Sequence, residues 1–553
     1  MIAEPTFDSY RSPVLSQGGM VAASQPLAVA AGVRILENGG NAADAAVATA
    51  AALNVTEPTS TGIGGDCFAL YFDAATRQVS ALNGSGRAPA GLTLDLLAQQ
   101  GFADGLPPFH AHTVTVPGAC AGWCDLIAAH GSLPLRDVLA PAIALAEEGF
   151  PVAPLTAYFW QRGAARQLAR APGGRELTLD GRGPHAGEVF RNPGLARTFQ
   201  LVAEQGKAAF YEGEIAAAVA AAVQAAGGVL TEADLAGHSS TWDEPISTIY
   251  RGVRVWECPP NGQGLAALIA LNILEGFDLA GMDPLGAERW HVLVEAMRLA
   301  FADTRWFVAD PRAQLPISNY QALISDLLSR EYAAQRRALI DPSRAALDRV
   351  HGAPALAAGS DTVYLCTVDA AGNACSFINS NYMGFGTGIV PEGWGFTLQN
   401  RGHGFSQDPT HPNALAPGKR PYHTIIPGLI THAADGSLYA PFGVMGGFMQ
   451  PQGHVQVVVG MVDDGLDPQA ALNRPRFCIA DGTAGGKVGL ETGLPEKTAT
   501  ELERMGHPVY LVVGYARALF GRGQIIRREP NGVLWGGSDP RADGCAMGTI
   551  RSQ

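Results

Sequence analysis

The stretch DTVYLCTVDAAGNACSFINS, residues 361–380, decides how the rest of this 553-residue chain is interpreted. Two runs of apolar and β-branched residues flank the turn AAGN at 370–373, a pattern typical of a β-hairpin. Thr362 stands at the start of the first strand. A threonine that becomes an N-terminus by cleavage carries its own α-amino group as a base for its hydroxyl. The stretch therefore predicts a chain that cuts itself between Asp361 and Thr362 before it acts.

Two features downstream supply the other parts of an acyl-transfer site. Ser380 ends the second strand of the same hairpin, so we expect its hydroxyl to lie near that of Thr362 across the strand pair. Gly446 and Gly447 follow an apolar run, and their N–H groups can face a developing oxyanion without side-chain obstruction. A strand serine or a Gly-Gly turn alone is usually only structural. Together with Thr362 they indicate a site that cleaves amide bonds.

The composition indicates a globular protein and argues against several function classes. Hydrophobic residues make up 47% of the chain and charged residues 16%, which is not typical of disorder. The net charge of −13 argues against nucleic-acid binding. No apolar run is long enough to span a bilayer, and the N-terminus does not resemble a secretory signal. We therefore expect no nucleic-acid or membrane partner and a cytoplasmic location.

The sequence contains no motif typical of a metal or cofactor site. Its eight cysteines include no C-x-x-C pair, and Cys120 and Cys124 lie one helical turn apart, as on a packed helix face. The glycine-rich stretch TSTGIGGD, residues 59–66, lacks both the G-x-G-x-x-G pattern and a P-loop lysine. We expect no metal and no cofactor, and we interpret residues 59–66 as a tight loop that brings backbone close to the active centre.

A helix-rich first portion is followed by a strand-led second portion, and no linker separates them. Asn41 is placed to cap a helix that runs through Val55. The later part predicts strands at 363–369, 374–380, 424–431 and 533–536, with helices near 453–463 and 494–505. We predict that residues 1–361 and 362–553 become two chains on cleavage and together form one domain.

The chain resembles the γ-glutamyltransferase family of N-terminal nucleophile hydrolases over nearly its whole length. The resembling stretches are 57–59 with 62–68, 116–123 and 295–303 before the expected cut, and Thr362, the turn 369–373 and 385–389 after it. The resemblance implies a four-layer αββα fold, in which two stacked sheets lie between helical layers. It also implies that Thr362 is the nucleophile, that Ser380 orients its hydroxyl, and that Gly446 and Gly447 stabilise the oxyanion.

The chain departs from the family pattern at the positions that bind the amino-acid part of a glutamyl substrate. Catalytic positions therefore resemble the family while recognition positions do not. By alignment, the usual arginine is replaced by Ser85, the asparagine by Tyr382, the aspartate by Gly404 and the serine pair by His423 and Thr424.

Two arginines are candidate replacements in the substrate pocket. Arg87 follows Ser85 by two residues, and Arg401 lies in the stretch QNRGH, residues 399–403. A guanidinium can hold a carboxylate through two parallel hydrogen bonds, although a structural ion pair or a solvated position is an equally ordinary role for each. The resemblance thus implies a substrate-binding set of Arg87, Tyr382, Arg401, His423 and Thr424.

The leading prediction is a self-processing amide hydrolase or acyltransferase with an N-terminal threonine, acting on a small carboxylate-bearing acyl group. Its partners are then a small-molecule amide and its own two processed chains, held as a heterodimer. Three alternatives stay open: a γ-glutamyl hydrolase or transferase acting on glutathione, a cephalosporin or glutaryl acylase or oxamate amidohydrolase, and a processing-deficient binding protein.

Overall fold

The computed structural model describes residues 11–103, 105–313, 319–348 and 361–550, and of Asp361 the backbone only. The strands in these ranges are, in chain order, β1 (Val14–Ser16), β2 (Met20–Ala23), β3 (Asp66–Asp73), β4 (Gln78–Gly84), β5 (Phe150–Pro151), β6 (Val189–Phe190), β7 (Thr241–Asp243), β8 (Ile246–Tyr250), β9 (Val253–Glu257), β10 (Asp361–Val368), β11 (Ala374–Tyr382), β12 (Gly428–His432), β13 (Leu438–Met445), β14 (Phe477–Ile479), β15 (Val488–Glu491), β16 (Val509–Val512), β17 (Arg522–Arg528), β18 (Leu534–Ser538) and β19 (Cys545–Gly548).

The helices surround these strands. They are, in chain order, α1 (Pro26–Glu37), α2 (Ala42–Thr56), α3 (Leu94–Gln99), α4 (Ala119–His130), α5 (Leu135–Glu148), α6 (Pro154–Gly163), α7 (Pro193–Gln205), α8 (Ala208–Tyr211), α9 (Glu214–Ala225), α10 (Glu232–Ala236), α11 (Gly264–Leu274), α12 (Ala287–Phe307), α13 (Tyr320–Leu327), α14 (Arg330–Arg337), α15 (Met449–Val462), α16 (Pro468–Asn473) and α17 (Glu496–Arg504). A π-helical turn, Ala164–Leu168, continues α6.

Two antiparallel seven-stranded sheets form the centre of the molecule. The first sheet has the order β19-β2-β10-β11-β3-β4-β7, and the second has the order β1-β18-β17-β13-β12-β9-β8. Both sheets combine strands from before and after position 361. Smaller sheets pair β5 with β6 and place β15 between β14 and β16.

The alternation of side chains along β10 and β13 shows how the layers stack. Tyr364 of β10 and Met445 of β13 meet in a core between the two sheets. Val363 points the other way, into a core formed with α1, α2 and neighbouring helices. Val444 points away from the first sheet, into a core with α11, α12 and α15. Because strand residues alternate between faces, the order is helices, sheet, sheet, helices, and the expected αββα architecture is confirmed.

The helix α2 is alanine-rich because it is buried along its whole length. Small side chains let it approach α1 and the first sheet closely. Its start is capped by Asn41, whose side chain accepts hydrogen bonds from the N–H groups of Ala43 and Asp44, while Asp44 bonds back to the N–H of Asn41. The predicted cap is therefore confirmed, and the helix ends at Thr56, one residue beyond the prediction.

One predicted strand was wrong at its start. We expected a strand over 424–431, but β12 begins only at Gly428. The N–H of Ile425 donates to Nδ1 of His423 (3.4 Å) and that of Ile426 donates to Oε1 of Gln450 (2.9 Å). Side chains therefore occupy the backbone groups that a sheet ladder would use, and 424–427 serves the site instead.

No helix in the described ranges has the length and apolar character needed to cross a bilayer. Nor do three or more His, Cys, Asp or Glu side chains come together as a metal-binding group within these ranges. All eight cysteines are free thiols.

Candidate active site

The end of the β10–β11 hairpin brings the two predicted hydroxyls together. The oxygen atoms Oγ1 of Thr362 and Oγ of Ser380 are 3.1 Å apart, and both side chains are fully buried. Asp361 pairs with Tyr382 and Val363 with Asn379, so β11 has one more residue than β10 in this interval. Such a bulge re-aims side chains and is common beside active sites. The predicted contact between Thr362 and Ser380 is present, whereas the side chain of Asp361 lies outside the described part.

The Ser380 hydroxyl is the centre of a small hydrogen-bond network. Besides Thr362, it bonds to the N–H of Tyr382 (2.9 Å) and to Nη2 of Arg401 (3.2 Å). Three groups thus hold one hydroxyl in place, and the position of the Thr362 oxygen is set through it.

Tyr382 adopts a backbone conformation that residues with a side chain rarely occupy. Its φ is +80°, in the left-handed region, and its ring is buried. The Arg401 guanidinium carbon lies 4.1 Å from the ring centroid, a cation–π distance. Such a strained backbone conformation persists only when the surrounding structure stabilises it. Strained residues of this kind cluster at functional sites.

Arg401 is a fully buried cation at this network. It begins a short 3₁₀ turn, Arg401–Gly404, and its Nη1 donates to Oγ1 of Thr424 at 2.8 Å. Burial lowers the pKa of Arg401 to about 10, and the charge of Asp66 opposes that shift, so the guanidinium remains charged at neutral pH. Its Nε has no hydrogen-bond partner among the described residues. A guanidinium offers five N–H bonds, so unused donors remain.

Asp66 supplies negative charge to the same buried region. Burial raises the pKa of Asp66 to about 6, against the lowering effects of Arg401 and of hydrogen bonds from the N–H groups of Gly86 (3.0 Å) and Gly118 (3.2 Å). The carboxylate is therefore mostly ionised at pH 7. Asp66 is the last residue of the glycine-rich stretch 59–66, which the sequence analysis interpreted only as a tight loop.

His423 is a neutral hydrogen-bonding group rather than a charged one. Its Nε2 lies 3.1 Å from Oδ2 of Asp66, and its Nδ1 accepts from the N–H of Ile425. This pattern requires the proton on Nε2. Burial, together with the positive charges of Arg401 and Arg420, holds the pKa of His423 well below its usual range. His423 therefore positions Asp66 and the start of 424–427.

The two glycines have conformations that suit their predicted role. Gly446 has φ +130° and Gly447 has φ +61°, and a Cβ at Gly446 would come within 3.1 Å of Cα of Gly521. Among the described residues, the N–H groups of Gly446 and Gly447 donate no hydrogen bond to another group. Neither N–H group is thus used within the described structure, and their role in binding an oxyanion stays a prediction.

Gln263, which sequence reasoning missed, links the glycine pair to the rest of the network. Its Nε2 donates to the carbonyl oxygens of Thr424 (2.6 Å) and Gly447 (2.8 Å). Thr424 in turn binds Arg401, and Arg401 binds Ser380. A continuous path of hydrogen bonds therefore runs from Thr362 to Gly447. A glutamine just before a helix, here α11, has many ordinary roles, so no signal in the sequence marked it.

Arg87 lies outside this network. Its Nη1 donates to the carbonyl oxygen of Ser239 at 3.3 Å in an exposed position. Ser85 is fully buried and donates to Oδ1 of Asn83 at 2.6 Å. The structure thus brings together Thr362, Ser380, Tyr382, Arg401, His423 and Thr424, while a substrate role for Arg87 stays a prediction.

A cavity of about 800 Å³ reaches this site at Gly446. Its wall includes Met383, directly after Tyr382, and the rings of Phe109, Phe159 and Phe385. The cavity gives a small molecule access to Gly446.

Comparisons with known proteins identify relatives over nearly the whole chain. Residues 28–549 match the family model for gamma-glutamyltranspeptidase. The chain is 37% identical over 541 residues to the glutathione hydrolase-like YwrD proenzyme of Bacillus subtilis (strain 168), covering 97% of this chain and 99% of that protein. It is 33% identical over 544 residues to the oxamate amidohydrolase proenzyme of Klebsiella pneumoniae, with 97% and 99% covered.

A solved structure is similar over the full length. The cephalosporin acylase from Bacillus halodurans superposes with a TM-score of 0.91 at 46% identity, covering 100% of both chains. The same family thus includes relatives named for glutathione, oxamate and cephalosporin substrates. On these matches and the fold, the chain belongs to the gamma-glutamyltranspeptidase family of hydrolase proenzymes.

Proposed function

We propose that this chain is a self-processing amide hydrolase whose nucleophile is Thr362. The observation that carries the proposal is the 3.1 Å contact between the hydroxyls of Thr362 and Ser380, at the end of a buried hairpin and connected by hydrogen bonds to Gly447. Relatives named as proenzymes support the processing step.

Processing uses the same hydroxyl that later acts on substrate. Oγ1 of Thr362 attacks the carbonyl carbon of Asp361, the C–N bond between these residues breaks, and the nitrogen takes up the proton released by the hydroxyl. The ester that results is cleaved by water. The products are a carboxylate at Asp361 and a free α-amino group and hydroxyl at Thr362.

Turnover repeats this chemistry on an external amide. The free α-amino group of Thr362, with an ordinary pKa of about 7.7–8.0, takes the hydroxyl proton near neutral pH. The hydroxyl oxygen adds to the substrate carbonyl, the N–H groups of Gly446 and Gly447 stabilise the negative oxygen, and the amine leaves with a proton. Water then releases the acyl group as an acid.

The acyl group is a short one that carries a carboxylate. Arg401 is buried and cationic and has unused donors, so an anion of the substrate can neutralise it. Its Nη2 lies 3.2 Å from Ser380, which lies 3.1 Å from Thr362. Because only one hydroxyl separates the guanidinium from the nucleophile, the substrate carboxylate and the reacting carbonyl must be close together.

Denaturing electrophoresis with mass spectrometry tests the processing step. Purified wild type gives two chains, 1–361 and 362–553, and Thr362→Ala gives one. Thr367→Ala is the matched control, because Thr367 is a buried threonine of the same strand that bonds to the carbonyl of Ala42. This control is expected to give two chains. Cleavage of Thr362→Ala at the same junction overturns the proposal.

A panel of glutaryl, oxamyl and γ-glutamyl amides and a cephalosporin tests turnover by the processed protein. Release of an acid from at least one carboxylate-bearing amide is the expected result. Processed protein that releases no acid from any of them supports a binding protein instead.

A further inference from the structure

The cavity at Gly446 is far larger than a primary amide needs. Its volume of about 800 Å³ lies in the range of sites for whole small molecules, whereas one water molecule takes about 30 Å³. With Gly446 as an oxyanion donor, as proposed above, the reacting carbonyl lies at one side of the cavity. The volume beyond is therefore available to the amine half of the substrate, and an enzyme that releases only ammonia has no use for it.

The wall of this cavity combines aromatic rings with positive charge. Four phenylalanines line it, at positions 109, 159, 385 and 448, together with the cations Arg162 and Arg166 and with His403, whose pKa is lowered by burial so that the ring is mainly neutral at pH 7. No Asp or Glu is among the described residues that line it. The whole chain has a net charge of −13, so a cleft with no carboxylate among its described lining residues differs from the rest of the protein. Its chemistry suits a flat apolar body with a negative group.

The two arginines are oriented at the rim by aromatic rings. Arg162 lies 5.5 Å from the ring centroid of Tyr158 and donates to its hydroxyl at 3.4 Å, and Arg166 lies 5.0 Å from the ring of Phe109. These contacts of the two arginines are to neutral groups. Stacking on a ring face leaves the in-plane N–H groups of a guanidinium free for an anion.

The backbone that carries these arginines is fixed against the active-site loop. The π-helical turn Ala164–Leu168 contains Gln167, whose Nε2 donates to the carbonyl oxygens of Met383 (2.8 Å) and Gly386 (2.7 Å). Such π turns occur frequently at functional sites. Arg166 is therefore held at a set distance from the residue that follows Tyr382.

We propose that the cleft binds the amine half of the substrate, an amine with an aromatic or other flat apolar body and a carboxylate, and that Arg162 and Arg166 recognise this carboxylate. The inference rests on the proposed function. It assigns a second anion site, separate from buried Arg401, so that the preferred amide joins two acidic halves.

Direct binding tests the inference without any assumption about the acyl group. Processed wild-type protein is titrated calorimetrically with 4-aminobenzoate and with aniline. We expect 4-aminobenzoate to bind at least about tenfold more tightly, and the Arg162→Gln/Arg166→Gln double variant to lose most of this preference while aniline binding stays unchanged. Arg170→Gln is the matched control, since Arg170 is an exposed arginine just after the same turn that does not line the cavity.

Hydrolysis of glutaryl anilide and N-glutaryl-4-aminobenzoate provides the second measurement. We expect the ratio of their kcat/KM values to fall about tenfold in the double variant, through KM, while processing into two chains is unchanged. Equal binding of both amines by wild type, or an unchanged ratio in the double variant, overturns the inference alone. Failure of processed protein on the wider substrate panel, with the amine preference intact, overturns the proposed function and leaves the cleft as an anion-selective site.

Discussion

The family resemblance predicts hydroxyls at Thr362 and Ser380, whereas it predicts that Ser85, Gly404 and His423 replace groups that bind an amino acid. The two regions adjoin, because Arg401 bonds to Ser380. The reacting atoms of an amide are the same in every substrate, so the hydroxyl pair has little freedom to change. The pocket has to complement only one acyl group, and the polar groups of the pocket determine which acyl group binds.

The largest effect is expected in the hydroxyl region. Thr362→Ala should abolish turnover, by at least about 10⁴-fold in kcat, because removal of a nucleophile leaves only residual catalysis from the surrounding site. Thr362→Ser, which keeps a hydroxyl, should retain two chains on electrophoresis and measurable activity. Turnover by Thr362→Ala comparable with wild type would place the chemistry elsewhere.

A smaller effect that separates the regions is expected at Arg401. Arg401→Gln should lower kcat/KM for a glutaryl amide by about 10²–10³-fold, since a buried charge partner is worth about 3–4 kcal/mol. For an acetyl amide, which lacks the carboxylate, the kcat/KM of the variant should be no lower than that of wild type. Electrophoresis of the same variant decides where Arg401 belongs. If the variant gives two chains, Arg401 acts only in the substrate pocket. If it gives one chain, Arg401 is also needed to position the hydroxyls for processing.

Substrate choice tests the pocket alone. Wild type should cleave glutaryl anilide with a kcat/KM at least about tenfold above that of γ-glutamyl anilide, because the positions that would bind the α-amino and α-carboxylate groups are Gly404 and Ser85, and an unpaired buried charge is costly. Efficient hydrolysis of glutathione in the same assay would show that these replacements do not exclude glutamate.

The smallest effect is a pH dependence that differs between the regions. The rate should rise with pH through about 7.7–8.0 as the α-amino group of Thr362 loses its proton. Asp66 has a pKa of about 6, so below pH 6 it is neutral and no longer opposes a bound carboxylate. KM for a glutaryl amide should therefore fall about three- to tenfold between pH 7 and pH 5, while kcat also falls. In Asp66→Asn, KM should stay level; an equal fall of KM in this variant would exclude Asp66 as the cause.

The hydroxyl region was accessible to sequence reasoning because it is local. Thr362 and Ser380 belong to one hairpin, so counting residues across its turn places them opposite each other, and the Asn41 cap depends on residues three positions apart. Both predictions needed only short-range geometry. The layered fold followed from the resemblance, and the alternation along β10 agrees with it.

The pocket was less accessible because its contacts join distant parts of the chain. Gln263 links Thr424 to Gly447, and Arg401 joins Ser380 to Thr424, so each depends on how the sheets stack. The error at 424–431 has a similar cause, because the side chains of His423 and Gln450 accept from backbone N–H groups that residue patterns assign to a strand. Arg87 was named on proximity in sequence to Ser85, and the structure places its guanidinium against Ser239.

The combination of early and late strands in both sheets has a consequence for the lifetime of the protein if it is cut as proposed. Strand β10 lies between β2 and β11, so the two pieces made by the cut can separate only if hydrogen bonds are broken along the middle of a sheet. An uncut chain that is denatured regains its structure in a unimolecular reaction. Two separate pieces must first meet, so their recovery depends on concentration and competes with aggregation. The proposed self-cleavage would therefore make folding a one-time event, and the working life of each molecule would be governed by the rate at which it first unfolds.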